Sequence, residues 1–164
     1  MSNQIITPFS QLNPLWRWNF LGTSKTTIGG YGCTISCLGM ASNKNPGEVN
    51  KALQGVYKGF VNENGGTSSA NLVNWTKIET ALKNLRFIYR YKTYDNAVAK
   101  DAIKKYGFVL AEVDWDGNPK TPKDSHWIIL VGNQQMYDPM TFPCRIEKTG
   151  KYKIYKGLAV LQQI

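Results

Sequence analysis

The sequence predicts an α+β fold in which N-terminal helices pack on a C-terminal antiparallel β-sheet. Several segments before residue 86 have apolar residues every three or four positions, the helical period, whereas most later segments are short apolar runs typical of strands. Because the helices precede the sheet instead of alternating with its strands, an α/β fold is disfavoured. The length of 164 residues and the apolar fraction of 42% fit one domain covering 1–164.

The first half is predicted to form helices separated by polar loops. The four helices are expected at residues 11–20, 33–41, 46–54 and 71–85. The third begins with Asn45 as a cap and Pro46 at its first position, a combination that favours helix initiation. The fourth has the most regular apolar spacing, at Leu72, Trp75, Ile78, Leu82 and Leu85. Segments 23–32 and 56–70 are predicted loops, and the second is long enough to border an open groove.

The second half is predicted to hold five strands and one helix. The strands are expected at residues 86–92, 108–113, 126–132, 135–138 and 152–161. The helix begins after Asp95, a capping residue, and ends at Tyr106, because Gly107 favours termination. The polar connection between the second and third strands favours an antiparallel pair.

A net charge of +9, from 20 basic and 11 acidic residues, indicates attraction to an acidic partner such as a cell wall, a membrane surface or nucleic acid. No nucleic-acid-binding motif is present, which disfavours nucleic acid. No apolar run approaches the ~18 residues of a membrane span, and no secretory signal is visible, so synthesis in the cytoplasm is expected. One dense group of lysines predicts a solvated face and a protected edge strand: Lys148, Lys151, Lys153 and Lys156.

Cys33 is the first candidate for chemistry, because it follows the glycine-rich sequence GGYG and opens the predicted second helix. The positive end of a helix dipole and the free N–H groups of the first turn favour a thiolate. A thiolate nucleophile also needs a base and a group that orients the base. Most cysteines are packing residues, and this is our interpretation of Cys37; Cys144 is interpreted as a loop cysteine without a partner.

His126, the only histidine, is the natural base, and it opens the strand predicted at 126–132. Asp138 follows the next short strand, and neighbouring antiparallel strands can bring it beside His126. The carboxylate would then hold the imidazole in one tautomer, as the third member of a triad does. Each residue alone also fits a structural role, but their joint order favours catalysis. One histidine and unpaired cysteine spacing disfavour zinc, and neither a metal nor a cofactor is expected.

Seven short segments resemble papain-like cysteine peptidases, specifically the group similar to the double-glycine leader peptidases of bacteriocin exporters, whose members also occur in phage lysins. The segments are QLNPLW at 11–16, LGTS at 21–24, TIGGYGC at 27–33, GMA at 39–41, NP at 45–46, HW at 126–127 and YDP at 137–139. They cover most of the chain, and the Gly-Cys and His-Trp pairs are the most specific. The resemblance implies a papain-like fold.

The resemblance also implies a role for each candidate residue. Cys33 is the expected nucleophile, His126 the general base and then acid, and Asp138 the orienting carboxylate. The side-chain amide of Gln11 is expected to join the Cys33 backbone N–H in an oxyanion hole, although papain-like enzymes usually place this glutamine much closer to the cysteine than 22 residues. Two aromatic neighbours of the catalytic pair, Trp127 and Tyr137, are expected to wall a substrate cleft, although a purely structural role in the core fits both residues as well.

Three functions therefore remain open. The first is a cysteine peptidase or amidase that hydrolyses a peptide or peptidoglycan amide. A basic domain without a secretory signal fits a phage-type lysin, released to an anionic wall or packaged in a virion, and it equally fits a phage or bacterial enzyme that processes a cytoplasmic partner. The second is a non-enzymatic phage or host-modulating binding protein on the same fold. The third, nucleic-acid binding, rests on charge alone and predicts binding that falls steeply with salt.

Overall fold

Five helices and eight strands form the described part of the chain, residues 6–121 and 124–164 of a computed structural model. The helices are α1 (Ile28–Tyr31), α2 (Cys33–Ser42), α3 (Pro46–Gln54), α4 (Ile78–Ala81) and α5 (Asn96–Tyr106). The strands are β1 (Phe60–Val61), β2 (Leu72–Val73), β3 (Leu85–Tyr91), β4 (Phe108–Asp114), β5 (Ser125–Val131), β6 (Gln135–Tyr137), β7 (Ile146–Lys148) and β8 (Tyr155–Gln163). The chain is therefore mixed α+β, as predicted.

The main sheet has six antiparallel strands in the order β3-β8-β4-β5-β6-β7, and β1 and β2 form a separate pair. The predicted antiparallel pairing of β4 with β5 is confirmed, with Val113 opposite His126. The last strand, β8, lies between β3 and β4, so the C-terminal segment is central to the sheet. The two edge strands are β3 and β7, and the sequence analysis did not predict β7. Lys148 lies in β7, but Lys156 lies in the interior strand β8, so the predicted edge strand protected by lysines is wrong for Lys156.

The sheet separates two apolar layers. Strand residues such as Trp127 and Ile129 belong to a core shared with α2 and α3, whereas Ile128 and Leu130 belong to a second core beneath α5. This alternation follows from the two-residue period of a strand that is buried on both faces. The N-terminal helices thus pack on one face of the C-terminal sheet, as predicted, and α5 covers the other.

Two predicted helices, α3 and α5, have the expected bounds because the predicted capping residues are present. The side chain of Asn45 accepts a hydrogen bond from the backbone N–H of Glu48, and the Glu48 carboxylate accepts one in return from the backbone of Asn45. At the start of α5 the Asp95 side chain accepts hydrogen bonds from the backbone N–H groups of Ala97 and Val98, and Gly107 ends this helix in the left-handed conformation. None of the described helices is both long enough and apolar enough to span a membrane.

The helix predicted at 71–85 is wrong, because this segment is divided among several short elements. A two-stranded sheet takes its first residues, a 3₁₀ turn covers Trp75–Lys77, and α4 has only four residues. Ile78, Leu82 and Leu85 are nevertheless fully buried. The apolar spacing identified these three core residues correctly, whereas Leu72 is 47% exposed and Trp75 is half-buried. Strand pairing at both ends of the segment determined its backbone.

The helix predicted at 11–20 is also wrong, since this segment forms successive turns. The backbone carbonyl of Arg17 accepts its hydrogen bond from Gly29, at the start of α1, instead of from a later residue of its own segment. Trp16 is buried, but Trp18 is 70% exposed, so the aromatic residues do not form one buried stripe. The adjoining polar segment, predicted to be a loop, contains α1, and the loop predicted at 56–70 contains β1.

Candidate active site

Cys33 is the first residue of α2, as predicted, and Gly32 places it there. A Cβ atom at Gly32 would lie 2.5 Å from the carbonyl oxygen of Ile28 and 2.7 Å from its Cγ2, so a larger residue does not fit. The close approach lets α1 lead into α2 with a single residue between them. The thiol therefore lies at the N-terminus of a ten-residue helix, where the dipole favours an anion.

The Cys33 side chain is half-buried and contacts three hydrogen-bonding groups. Burial raises the pKa of the thiol, but the hydrogen bond and positive charge of His126 oppose this effect. Hydrogen bonds from the Trp127 backbone and the Thr34 side chain act in the same direction, and the pKa of Cys33 lies below its ordinary value. The surroundings of Cys33 therefore favour a thiolate paired with an imidazolium.

His126 is the second residue of β5, and only 3% of its surface is exposed. Its Nε2 lies 2.8 Å from Oδ1 of Asp138, so the predicted contact is present. Because this bond engages Nε2, Nδ1 is the ring nitrogen left for Cys33. Burial lowers the pKa of His126, but the hydrogen bonds and negative charges of Asp138 and Cys33 raise it to about 9. Trp115 packs edge-on against the ring, with 4.9 Å between centroids.

His126 reaches Cys33 from the end of its strand. Trp127 faces α2, so the alternation of β5 directs the Cβ of His126 to the opposite side of the sheet, with Ile128. Only Ser125 precedes His126 in β5, and the imidazole and the Cys33 thiol line the same pocket at this end of the sheet. The two residues therefore meet around the end of the sheet and not through it.

Asp138 follows β6 directly and is fully buried, with both carboxylate oxygens engaged. Oδ1 accepts hydrogen bonds from His126 and, at 2.9 Å, from the backbone N–H of Met140. Oδ2 accepts from Nζ of Lys151 at 2.8 Å and from the hydroxyl of Tyr152 at 2.6 Å. Burial raises the pKa of Asp138, but the donors, His126 foremost, hold it well below its usual range. Asp138 is therefore a fixed anion directed at the imidazole.

Lys151 and Tyr152 contact Asp138, although the sequence analysis placed Lys151 on a solvated face and Tyr152 in a strand. Both lie in the connection between β7 and β8, which folds back over the carboxylate. The alternation of lysine and tyrosine in this segment did not indicate a contact with Asp138, since the same pattern is typical of an exposed strand. Their role follows only from the requirement that a buried carboxylate be paired, which needs the fold to be known.

Gln11 lies beside Cys33 in the same pocket and is 1% exposed. Its backbone N–H donates to the carbonyl of Pro139 at 2.9 Å, which ties the N-terminal segment to the residue after Asp138. Its side-chain Nε2 donates to the carbonyl of Gly29 at 3.0 Å. The fold thus closes the long sequence gap between Gln11 and Cys33, and the amide keeps a second hydrogen for another acceptor.

The two aromatic candidates for the cleft wall differ. Trp127 lines the pocket beside Cys33 and packs against Trp75, with 5.0 Å between ring centroids, while the guanidinium of Arg90 lies 4.7 Å from its ring. Tyr137 packs against the core in β6 and is not among the described residues that line the pockets around Cys33. The structure therefore places only Trp127 at the cleft.

Three pockets near Cys33 share lining residues with one another, and we describe them together as a groove. One of about 280 Å³ holds Gln11, Cys33 and His126, and one of about 560 Å³ begins at Cys33 and includes Glu63 and Trp127. A third, of about 350 Å³, continues past Trp127. Glu63 belongs to the long polar loop that was expected to border a groove, and it lines the second and third pockets. The groove thus has room for a polymeric substrate on both sides of the Cys33 thiol.

The other two cysteines have different surroundings. The Sγ of Cys37 donates to the carbonyl of Trp127 at 3.4 Å, and burial raises its pKa well above the ordinary value. The expectation that Cys144 has no partner is wrong: its Sγ lies 3.5 Å from the carbonyl oxygen of Asp138. Burial and the charge of Asp138 raise the pKa of Cys144 to about 12. Cys37 and Cys144 are therefore held as neutral thiols.

Among the described residues, no group of three or more histidine, cysteine or acidic side chains has an arrangement that could hold a metal ion. Comparisons of the chain with protein-family models, with curated proteins and with solved structures found no match. The function is therefore inferred from the residues and geometry of the site.

Proposed function

We propose that the protein is a cysteine hydrolase of the papain-like kind, which cleaves an amide bond in a peptide or in peptidoglycan. The main support is the 2.8 Å contact of the His126 imidazole with the buried Asp138 carboxylate, together with the pocket that His126 and Cys33 both line. Nucleophile, base and orienting group are the three parts that thiol-dependent acyl transfer requires.

The first half of the reaction forms a thioester. The Cys33 thiolate attacks the carbonyl carbon, and the negative charge moves to the carbonyl oxygen. As the C–N bond breaks, the His126 imidazolium gives its Nδ1 proton to the leaving amine nitrogen. The ring stays oriented during this transfer because Asp138 holds Nε2 at 2.8 Å. The amine leaves, and His126 becomes neutral.

The second half regenerates the enzyme. Neutral His126 takes a proton from water, and the water oxygen attacks the thioester carbon. The C–S bond then breaks, which releases the carboxylic acid and restores the thiolate–imidazolium pair. Both halves pass through an oxyanion, and we assign the backbone N–H of Cys33 and the second amide hydrogen of Gln11, which lines the same pocket, as its two hydrogen-bond donors.

The groove favours a polymeric substrate over a small amide. Cys33 lies where two pockets meet, so a chain bound in the groove would extend on both sides of the bond that is attacked. The net charge of +9 favours approach to an anionic polymer such as a cell wall. Both features fit an internal amide of a peptide or of a peptidoglycan stem.

The test incubates wild type and Cys33→Ala with isolated cell walls and with a mixed peptide pool, and new amino termini are counted. Cys144→Ala is the matched control, since it also removes one thiol but lies outside the triad. We expect cleavage by wild type and by Cys144→Ala, and none by Cys33→Ala. Cleavage that survives Cys33→Ala, or a folded wild type that cleaves neither substrate, favours the non-enzymatic binding protein.

A further inference from the structure

The buried carboxylate of Asp138 is shared between two cations. Its Oδ1 faces His126, and its Oδ2 is 2.8 Å from the ammonium of Lys151. Lys151 also lies 3.5 Å from the hydroxyl of Thr141. Its side chain is 44% exposed, so the ammonium stands at the protein surface while its partner is fully buried.

We propose that Lys151 is a positioning residue that neutralises the far side of Asp138 and thereby keeps the His126 imidazolium acidic enough to protonate the leaving amine. The inference rests on the proposed function, because it assigns a task within that triad. Lys151 does not line the groove at Cys33 among the residues described there, so it acts through Asp138 and not on the substrate.

The acidity of the His126 imidazolium depends on the charges of Asp138 and Lys151. An anion at hydrogen-bond distance stabilises the imidazolium and makes it a weaker acid. A general acid works best when its pKa lies close to the operating pH. The Lys151 cation opposes part of the Asp138 charge, so the imidazolium loses its proton more readily. Because water screens a half-exposed ammonium, the effect is a moderate one.

Lys151 also fixes how the carboxylate is turned. Oδ2 is held by Lys151 and Tyr152 together, and Oδ1 is thereby left for His126 and the backbone of Met140. Two donors on each oxygen leave the carboxylate one orientation. The hydroxyl of Tyr152 remains when Lys151 is replaced, so the charge can be removed without releasing the carboxylate completely.

The other titratable groups around the pair do not replace this cation. Cys33 is the anionic partner of His126, and Cys144 and Tyr152 have raised pKa values, so both are neutral at the working pH. Glu147 accepts a hydrogen bond from Thr141 and adds negative charge. Within the described residues, Lys151 and His126 are the side-chain cations that contact Asp138.

The experiment titrates His126 by NMR in wild type, Lys151→Met and Lys153→Met. His126 is the only histidine, so its ring signals need no further assignment. Lys153→Met is the matched control, because it removes the same charge two residues away, from a lysine whose ammonium donates to the carbonyl of Gly150. We expect Lys151→Met to raise the pKa of His126 by roughly 0.5–1 pH unit, and Lys153→Met to leave it unchanged.

Two further variants keep the test decisive. Lys151→Arg retains the charge and should keep the wild-type titration, whereas Lys151→Gln retains a donor without charge and should follow Lys151→Met. If Lys151→Met does not fold, Lys151→Gln gives the answer. A His126 pKa that is the same in wild type and in the folded uncharged variant overturns the proposal, even if stability has fallen.

Activity separates this inference from the proposed function. If wild type cleaves peptides, Lys151→Met should lower kcat with little change in KM and move the alkaline limit upward. If wild type cleaves nothing but the His126 titration shifts as expected, the proposed function fails and the electrostatic coupling stands. If wild type cleaves and the titration does not move, the triad stands and the role of Lys151 is wrong.

Discussion

Two successive turns of α2 hold cysteines with opposite properties. Cys33 begins the helix and Cys37 lies one turn later, fully buried. Burial raises the pKa of both thiols, but only Cys33 also contacts the positive charge of His126, and its pKa falls while that of Cys37 rises well above the ordinary value. A charged partner and a position at a helix N-terminus, and not burial, therefore decide which of the two thiols is reactive.

The largest effect is expected from removing His126, because Cys33 should then be as unreactive as Cys37. In His126→Ala, Cys33 keeps its helix terminus but loses the hydrogen bond and the charge that lower its pKa. We expect hydrolysis to fall roughly 10⁴-fold or more, because nucleophile and base act as one unit. The measurement is peptide hydrolysis at pH 7. Activity within tenfold of wild type would show that the thiol does not depend on the imidazole.

Gln11→Ala tests the proposed oxyanion donor, and its expected effect on kcat is smaller than that of His126→Ala. It removes one oxyanion donor and leaves the thiolate–imidazolium pair intact, so kcat should fall roughly 10²–10³-fold. Alkylation of Cys33 should keep its wild-type rate, which distinguishes lost oxyanion binding from a lost nucleophile. An unchanged kcat would remove Gln11 from the proposed mechanism.

The pH profile of wild type should report the coupled pair. The active form lacks the Cys33 proton and keeps the His126 proton. Activity should therefore rise with pH as Cys33 ionises below its ordinary pKa, and fall as His126 loses its proton near pH 9. The measurement is kcat/KM from pH 4 to 10. A falling limb near 6.5, the ordinary pKa of histidine, would mean that Asp138 and Cys33 do not raise the pKa of His126.

The smallest effects are expected on stability, where replacing Cys37 should lower Tm more than replacing Cys33. Cys33→Ala removes a half-buried thiol at a cleft, and Tm should stay within a few degrees of wild type. Cys37→Ala removes a fully buried thiol and its bond to Trp127, at a cost of about 1–2 kcal/mol, so Tm should fall further. Calorimetry at neutral pH measures both, and a larger loss in Cys33→Ala would contradict this account.

The sequence predicted the site better than it predicted local structure. Chain order and element type were enough to place Cys33 at a helix start and His126 beside Asp138, and both placements are present. The helix at 71–85 was wrong because apolar spacing reports burial, and the strands on both sides took its residues. Asp138 lies in the connection after β6 and Lys151 in the connection after β7, so no local sequence pattern predicts their contact.

The most direct test of the central claim is competitive labelling of the folded protein with iodoacetamide at neutral pH, with the three thiols resolved by mass spectrometry. We predict that Cys33 reacts first, since it alone among the three has a lowered pKa, while Cys37 and Cys144 react slowly until the protein unfolds. Faster labelling of Cys37 or Cys144 in the folded state would contradict the assignment of Cys33 as the nucleophile.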